Sequence, residues 1–439
     1  MIDADLILTH AGELVTLAGS PSPCRRGPEA RDLAIVRDGA LASREGVIAW
    51  TGPSDRILRE VRPLPGCIER SAGGRVVTPG FVDSHTHPLF AGERVQEFAM
   101  RADGADYEAI AAAGGGIQSS VDGTRSASDA EIADNLGRHL RIMLGYGTTT
   151  VEAKSGYGLD METELRCLEI LSRFRGGWPQ TIVATFLGAH SVPREYAGRA
   201  DDYLDHLISD VLPAVRARGL AEYVDIFCEK GVFTADQTRR YLSAAASTGF
   251  GIRMHADEFH DTGGAAVAVE VGAASADHLL SISDENIRRI ASSGTVATLL
   301  PGTALFLGKP FPPGRRLLDA GAAVALATDF NPGSCFCESM PFMVNLAVCQ
   351  CGFSIEEALT AATVNGAAAL GLAGRKGTLR PGADADLVLW DLDDHRGIAY
   401  HIAVPDIDEV LAAGRPAPSG ETGARGRKDP TRSRGIDRC

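Results

Sequence analysis

What most restricts the fold of this 439-residue chain is a repeat of texture: eight short runs rich in β-branched and apolar residues, alternating with stretches of helical periodicity. The runs are VVTPGFVDSHTH, GTTTVEAKSGYG, TIVATFLGAH, YVDIFCEKG, GIRMHADEF, SADHLL, TVATLLPG and AVALATDFNPG. Stretches such as METELRCLEILSRF and TADQTRRYLSAAAS lie between them. Near-continuous apolar strands separated by helices mark parallel βα units, whose sheet is covered on both faces. Eight such units close most simply into an α/β fold, a (β/α)8 TIM-type barrel over residues 76–372.

The two ends read differently. DLILTHAGELVTL and DLAIVRDGALASREGVIAWTGP near the start, and GTLRPGADADLVLWDLDD near the end, are short strands with tight turns. Residues 1–75 and 373–414 are therefore expected to pair into one small composite domain, a β-sandwich built from the N- and C-terminal segments. Residues 415–439 hold many Arg, Pro and Gly and almost no large apolar side chain, so a disordered basic tail is expected there.

Composition narrows the partners. A hydrophobic content of 44% supports a sizeable core, and a formal charge of −14 repels phosphate, which argues against nucleic acid or an anionic membrane. An anionic substrate must then meet local positive groups. The first residues carry acids where a secretory signal carries bases, and no apolar stretch is long enough to span a bilayer, so a cytoplasmic protein is expected. Nine cysteines are too sparse for a disulfide framework. The pairs Cys335 with Cys337 and Cys349 with Cys351 are CxC, which chelates poorly from a helix, so no cysteine metal site is expected.

The polar residues gather at the carboxyl ends of the runs. The first ends in His85 and His87, the third in His190, and the fifth in His255 with Asp257 and Glu258. The sixth ends in Asp277 and His278, and the eighth in Asp329 and Asn331. In an extended strand, residues two apart share a face, so His85 and His87 form a chelating pair. Any one of these residues can be a helix cap, but catalytic groups of barrel enzymes converge on this rim.

Two imidazoles from the first strand, a third from the fifth and the carboxylate of Asp329 suit zinc, with iron(II) or manganese also compatible. One position stays open for water, whose pKa such an ion lowers to about 7, so hydrolysis or deamination at a carbon bearing nitrogen is expected. Asp329 is also placed to carry the proton from water to the leaving nitrogen. His278 is placed to polarise the oxygen under attack, its bland alternative being a core histidine bonded to backbone. Glu258 faces either the water or a substrate N–H. Beyond this centre, Arg94 matches a carboxylate, and Tyr157 and His190 supply further donors, together suggesting a small substrate with an anionic tail.

VTPGFVDSHTHPLFAGERVQEF, AAAGGGIQSSV, TTVEAKSGYGLDMETELRCLEIL, TFLGAHSVPREY, HADEFHDTGGAAVAVEVGAASADHL and ALATDFNPGSCFCESMP resemble, segment by segment, the imidazolonepropionases of the amidohydrolase superfamily. The resemblance runs from the first strands to about Pro416. It implies hydrolysis of 4-imidazolone-5-propanoate to N-formimidoyl-L-glutamate in histidine degradation. It further implies one zinc or iron ion on His85, His87, His255 and Asp329. Arg94, Tyr157 and His190 would hold the propionate and ring, with Glu258 on the ring side and Asn331, Gly333 and Ser334 on the far wall. Binuclear relatives carry a bridging lysine at the fourth strand, where FCEKG puts Lys230 one position late and Lys154 belongs to the second strand; a single ion is favoured. A homodimer is the assembly the resemblance implies. Two other readings stand beside it: an aminohydrolase of a cyclic amidine or purine, which needs no carboxylate clamp, and a non-catalytic assembly protein, whose mark would be lost metal ligands.

Overall fold

The computed structural model describes residues 1–104 and 115–417. The start of AAAGGGIQSSV and the basic tail from residue 418 onward lie outside the described residues.

Eight parallel strands follow one another around a barrel: Phe81–Asp83, Thr148–Lys154, Thr181–Ala189, Tyr223–Cys228, Gly251–Ala256, Ser275–His278, Val296–Leu299 and Val324–Leu326. Each pairs with its sequence neighbour, as short right-handed βα crossovers require. The ring closes just past the strand ends, where Asp329 N–H donates to the His85 carbonyl at 3.0 Å and His87 N–H to the Phe330 carbonyl at 2.8 Å. That closure welds the two segments that carry most of the polar rim.

The strands are covered on both faces, which is why they read as unbroken apolar or β-branched runs; every residue of Thr148–Lys154 is buried. Outside them, helix Asp129–Gly145 turns Ile132, Leu136, Leu140 and Met143 inward at helical spacing. Burying each fully is worth about 1.5–3 kcal/mol. Ser128 caps this helix, and Thr234 with Gln237 forms a capping box on Ala235–Ser247.

The terminal segments do meet in one small sheet. Ile2–Val15 lies at its centre, antiparallel to Ile35–Arg44 and parallel to both Val61–Ser71 and Val76–Pro79. Val76–Pro79 in turn pairs with Leu387–Trp390, and that strand with Ile407–Ala412, which pairs with Arg415–Pro416. The sheet thus branches at Ile2–Val15, and Leu6, Leu8, Leu14, Leu41, Val77, Leu387 and Leu411 share its apolar core. The run VVTPGFVDSHTH is divided between the two units: Val76–Pro79 belongs to the small sheet, and only Phe81–Asp83 enters the barrel. Trp390 joins them, edge-on to Phe81 at 5.9 Å and donating its indole N–H to Thr78 Oγ1 at 2.9 Å. Among the described residues no helix is long and apolar enough to cross a membrane.

Candidate metal centre and active site

Past the end of the first barrel strand, His85 and His87 project the same way, with their Nε2 atoms 3.1 Å apart. His255, at the end of the fifth strand, brings its Nε2 to 3.3 Å from that of His87. Asp329 Oδ1 stands 3.4 Å from the Nε2 of both His85 and His87. All four side chains are buried.

What keeps two of these rings turned inward is a carboxylate behind each of them. His85 Nδ1–H donates to Asp277 Oδ2 at 2.7 Å, and His255 Nδ1–H to Asp225 Oδ1 at 3.1 Å. Each bond places the proton on Nδ1 and leaves Nε2 a bare lone pair facing the others. Burial drives the His255 imidazole well below its ordinary pKa, so it stays neutral. Asp329 is held well below the carboxylate range against its burial, by the imidazoles of His85, His87 and His278 beside it. The bare Nε2 atoms of His85 and His255 and an ionised carboxylate oxygen, crowded around His87 Nε2 within a few ångströms, repel one another unless a cation lies among them. The donor set therefore fits a divalent metal ion, and its mixed N/O character suits zinc or iron.

Asp329 carries a second signature. Its backbone is left-handed, with φ of 54°, a strained conformation for a non-glycine residue that clusters at functional sites. Its other oxygen, Oδ2, accepts from Thr303 Oγ1 at 2.5 Å and from Ser334 Oγ at 3.5 Å.

His278, also at positive φ (77°), lies beside these donors, its ring 5.3 Å from that of His85 and 5.0 Å from that of His255. Neither of its ring nitrogens has a hydrogen-bond partner among the described residues, although both are buried. It is thus not a core histidine tied to backbone. Burial lowers its pKa to about 4, leaving a neutral ring. Glu258 Oε1 stands 3.7 Å from its Nδ1, and burial, then the neighbouring Asp329 and Glu229 charges, pushes the Glu258 carboxyl well up.

The other expected residues ring the same opening. The His190 ring stacks on His87 at 5.1 Å and holds the Gly156 carbonyl from Nδ1 at 3.0 Å, while burial brings its pKa down to about 3. Tyr157 packs edge-on to His190 at 5.3 Å, its phenol pushed up by burial. Arg94 lies against Gly333, where an added Cβ would sit 2.0 Å from its Nη1. Asn331 is engaged inside its own turn: Nδ2 donates to the Asp329 carbonyl (2.7 Å) and Ser334 Oγ (2.8 Å), and Oδ1 accepts the N–H of Gly333 and Ser334. It shapes the wall on which Gly333 and Ser334 stand.

Of the two lysines considered for a bridging role, Lys230 is exposed and Lys154 is buried. Lys154 Nζ bonds Glu152 Oε1 at 2.6 Å and forms an ion pair with Asp225 Oδ2 at 2.8 Å, behind the donor set rather than within it. Asp225, Lys154, Glu152 and Thr303 make contacts behind the donor set that the sequence did not lead us to expect. The signal for the first three was charge inside strands otherwise apolar, since a buried charge must be paired; Thr303, in a short helix after the seventh strand, gave none.

The amidohydrolase family profile matches residues 76–417. The imidazolonepropionase of Symbiobacterium thermophilum is 47% identical over 418 residues, covering 94% of this chain and 97% of its own. That of Rubrobacter xylanophilus is 47% identical over 414 residues, covering 94% and 99%. Among solved structures, a triazine hydrolase variant superposes with a TM-score of 0.70 at 16% identity, covering 94% of each chain. A 5-methylcytosine deaminase from Klebsiella pneumoniae does so with 0.69 at 16%, covering 95% of this chain and 99% of its own. The two structures share the fold; the sequence matches reach further, and they show that this chain belongs to the amidohydrolase family, among the imidazolonepropionases.

Proposed function

We propose that the chain hydrolyses 4-imidazolone-5-propanoate to N-formimidoyl-L-glutamate, opening the ring at a C–N amide bond. The observation that carries this reading is one rim with two kinds of group. The His85, His87, His255 and Asp329 set serves C–N hydrolysis, and Arg94 beside Gly333 on the adjoining turn serves an anionic tail. The 47% identity to imidazolonepropionases over nearly the whole chain supports the same substrate. An aminohydrolase of a neutral cyclic amidine would gain nothing from Arg94.

His85, His87, His255 and Asp329 Oδ1 hold one ion, zinc or iron. When bound, that ion supplies Lewis-acid activation of water at neutral pH. Asp329 Oδ2, steadied by Thr303, takes the proton from the attacking water and returns it to the leaving ring nitrogen. His278, neutral and with unengaged ring nitrogens, presents an N–H to the oxygen under attack. Glu258 holds the ring side, and Tyr157 and His190 orient ring and propionate. Asn331, Gly333 and Ser334 line the far wall. The buried position of Lys154, tied to Asp225, supports a single ion, since its ammonium repels a second cation behind the ligands. The setting of this reading is the cytoplasm, from the character of the sequence, and a homodimer, from the resemblance.

The test is to give purified, metal-assayed protein 4-imidazolone-5-propanoate anaerobically and follow the product by mass spectrometry against a chelated control, because the substrate decays unaided. Metal-dependent N-formimidoyl-L-glutamate is expected. Metal-loaded protein that forms none, but deaminates cyclic amidines, would overturn the reading.

A further inference from the structure

Arg94 stands at the N-cap of helix Val95–Ala102, one turn before Glu97. Glu97 is only 8% exposed, unusual for a glutamate on a short surface helix. Its two oxygens take one edge of the guanidinium: Oε1 accepts from Arg94 Nε at 2.9 Å and Oε2 from Nη2 at 2.7 Å. Oε1 also accepts the backbone N–H of Gly116 at 3.0 Å. A guanidinium has five donors in a planar fork, so this side-on pairing leaves the end-on pair, Nη1–H with the second Nη2–H, available to another carboxylate. Nη1 is the atom that lies against Gly333.

From this geometry we infer that Glu97 is a positioning residue for substrate specificity: it fixes Arg94 so that its end-on donors meet the substrate carboxylate, and Gly333 lacks a side chain to leave room for them. The inference rests on the reading of Arg94 as the carboxylate clamp.

Glu97 also brings a negative charge beside an anion site, which by itself opposes binding. Arg101 offsets it. Its Nη2 donates to the Gly333 carbonyl at 3.1 Å, and its guanidinium lies over the Phe306 ring at 5.2 Å, so two arginines and one glutamate converge with a net positive charge. The contact at Gly333 would ordinarily be cheap to relieve, since it is with the end of a long side chain. Held at two donors by Glu97, Arg94 cannot swing away, and a Cβ at 333 must displace it.

The experiment compares 4-imidazolone-5-propanoate with its uncharged propionamide counterpart on the full-length, metal-loaded protein. Glu97→Gln should raise KM for the anion about tenfold, with kcat within about threefold of wild type, as expected when one charge-assisted pairing is lost from substrate binding. The propionamide should be turned over as by wild type, with metal content unchanged. Should Glu97→Gln fail to fold, Glu97→Asp, which keeps the charge but is one methylene too short to hold Nε and Nη2 together, should produce the same anion-selective loss. An unchanged KM for the anion, or an equal loss on both substrates, would overturn the inference. Arg94→Met separates the two levels. If it abolishes the preference for the anion while Glu97→Gln and Glu97→Asp leave it intact, Glu97 is not the positioning residue. If Arg94→Met leaves the preference intact, the clamp itself is wrong.

Discussion

Asp329 turns its two oxygens to different partners, Oδ1 toward the imidazoles of His85 and His87 and Oδ2 toward Thr303. On the proposed roles, Asp329→Asn keeps an oxygen ligand and removes the base, so metal should remain in part while kcat falls by about 10²–10⁴, the usual worth of a positioned proton carrier. Atomic absorption and steady-state kinetics on the same preparation check both halves; turnover near wild type would refute the proton route. Asp225 acts from behind His255. Asp225→Asn should weaken metal binding by about 10–100-fold, read by competition with a chromophoric chelator, because the histidine loses its oriented tautomer. The two residues also mark the limits of what sequence carries. His85, His87, His255 and Asp329 were legible because each ends a recognisable strand. Asp225 sits mid-strand in YVDIFC, where only the barrel's curvature tells that its side chain faces inward toward His255. Likewise, that Asn331 closes its own turn while Arg94 reaches Gly333 depends on side-chain geometry that no spacing encodes.

One carboxylate organises an entire loop. Glu164, in the first turn of helix Met161–Arg175, accepts the N–H groups of Gly156, Gly158 and Leu159 on Oε1 at 3.1, 2.7 and 3.0 Å. The loop so held carries Tyr157, and its Gly156 carbonyl fixes His190. Gly156 adopts φ of 117°, and a Cβ there would stand 2.8 Å from the Leu187 carbonyl and 3.1 Å from His190 Nδ1, so glycine is required. Glu164→Gln retains an acceptor for the three donors and should keep KM within about threefold of wild type. Glu164→Ala leaves buried N–H groups unpaired, at about 1–3 kcal/mol each, and should lower the Tm and raise KM. Calorimetry with kinetics separates these outcomes; equal damage from both variants would mean that the negative charge, not acceptance, matters. At this scale the alternating runs identified the strands, whereas KSGYGLD gave the loop but not the helix residue that ties it.

Across the molecule, the chain returns to its beginning. The small sheet threads Val76–Pro79 between strands from both terminal segments, then hands the chain to the barrel through Phe81–Asp83. Texture alone showed that the two ends pair; where one unit gives way to the other was hidden, because VVTPGFVDSHTH reads as one apolar run although it serves two sheets. Trp390, 1% exposed between Thr78 and Phe81, couples them. Trp390→Ala should cost about 3–5 kcal/mol and shift a single denaturant transition to lower concentration; a second, separate transition with the first unmoved would show that the two units fold independently.

The proposed chemistry depends on one ion, held by three imidazoles and a carboxylate, that enables opening of the imidazolone ring of an anionic substrate. Its most direct test is a titration: metal-stripped protein receives increments of zinc or iron(II), and turnover of 4-imidazolone-5-propanoate is measured at each. Turnover should rise linearly and stop at about one equivalent per chain, with His255→Ala abolishing the rise. Turnover already present in fully stripped protein, or a rise that continues to two equivalents, would contradict it.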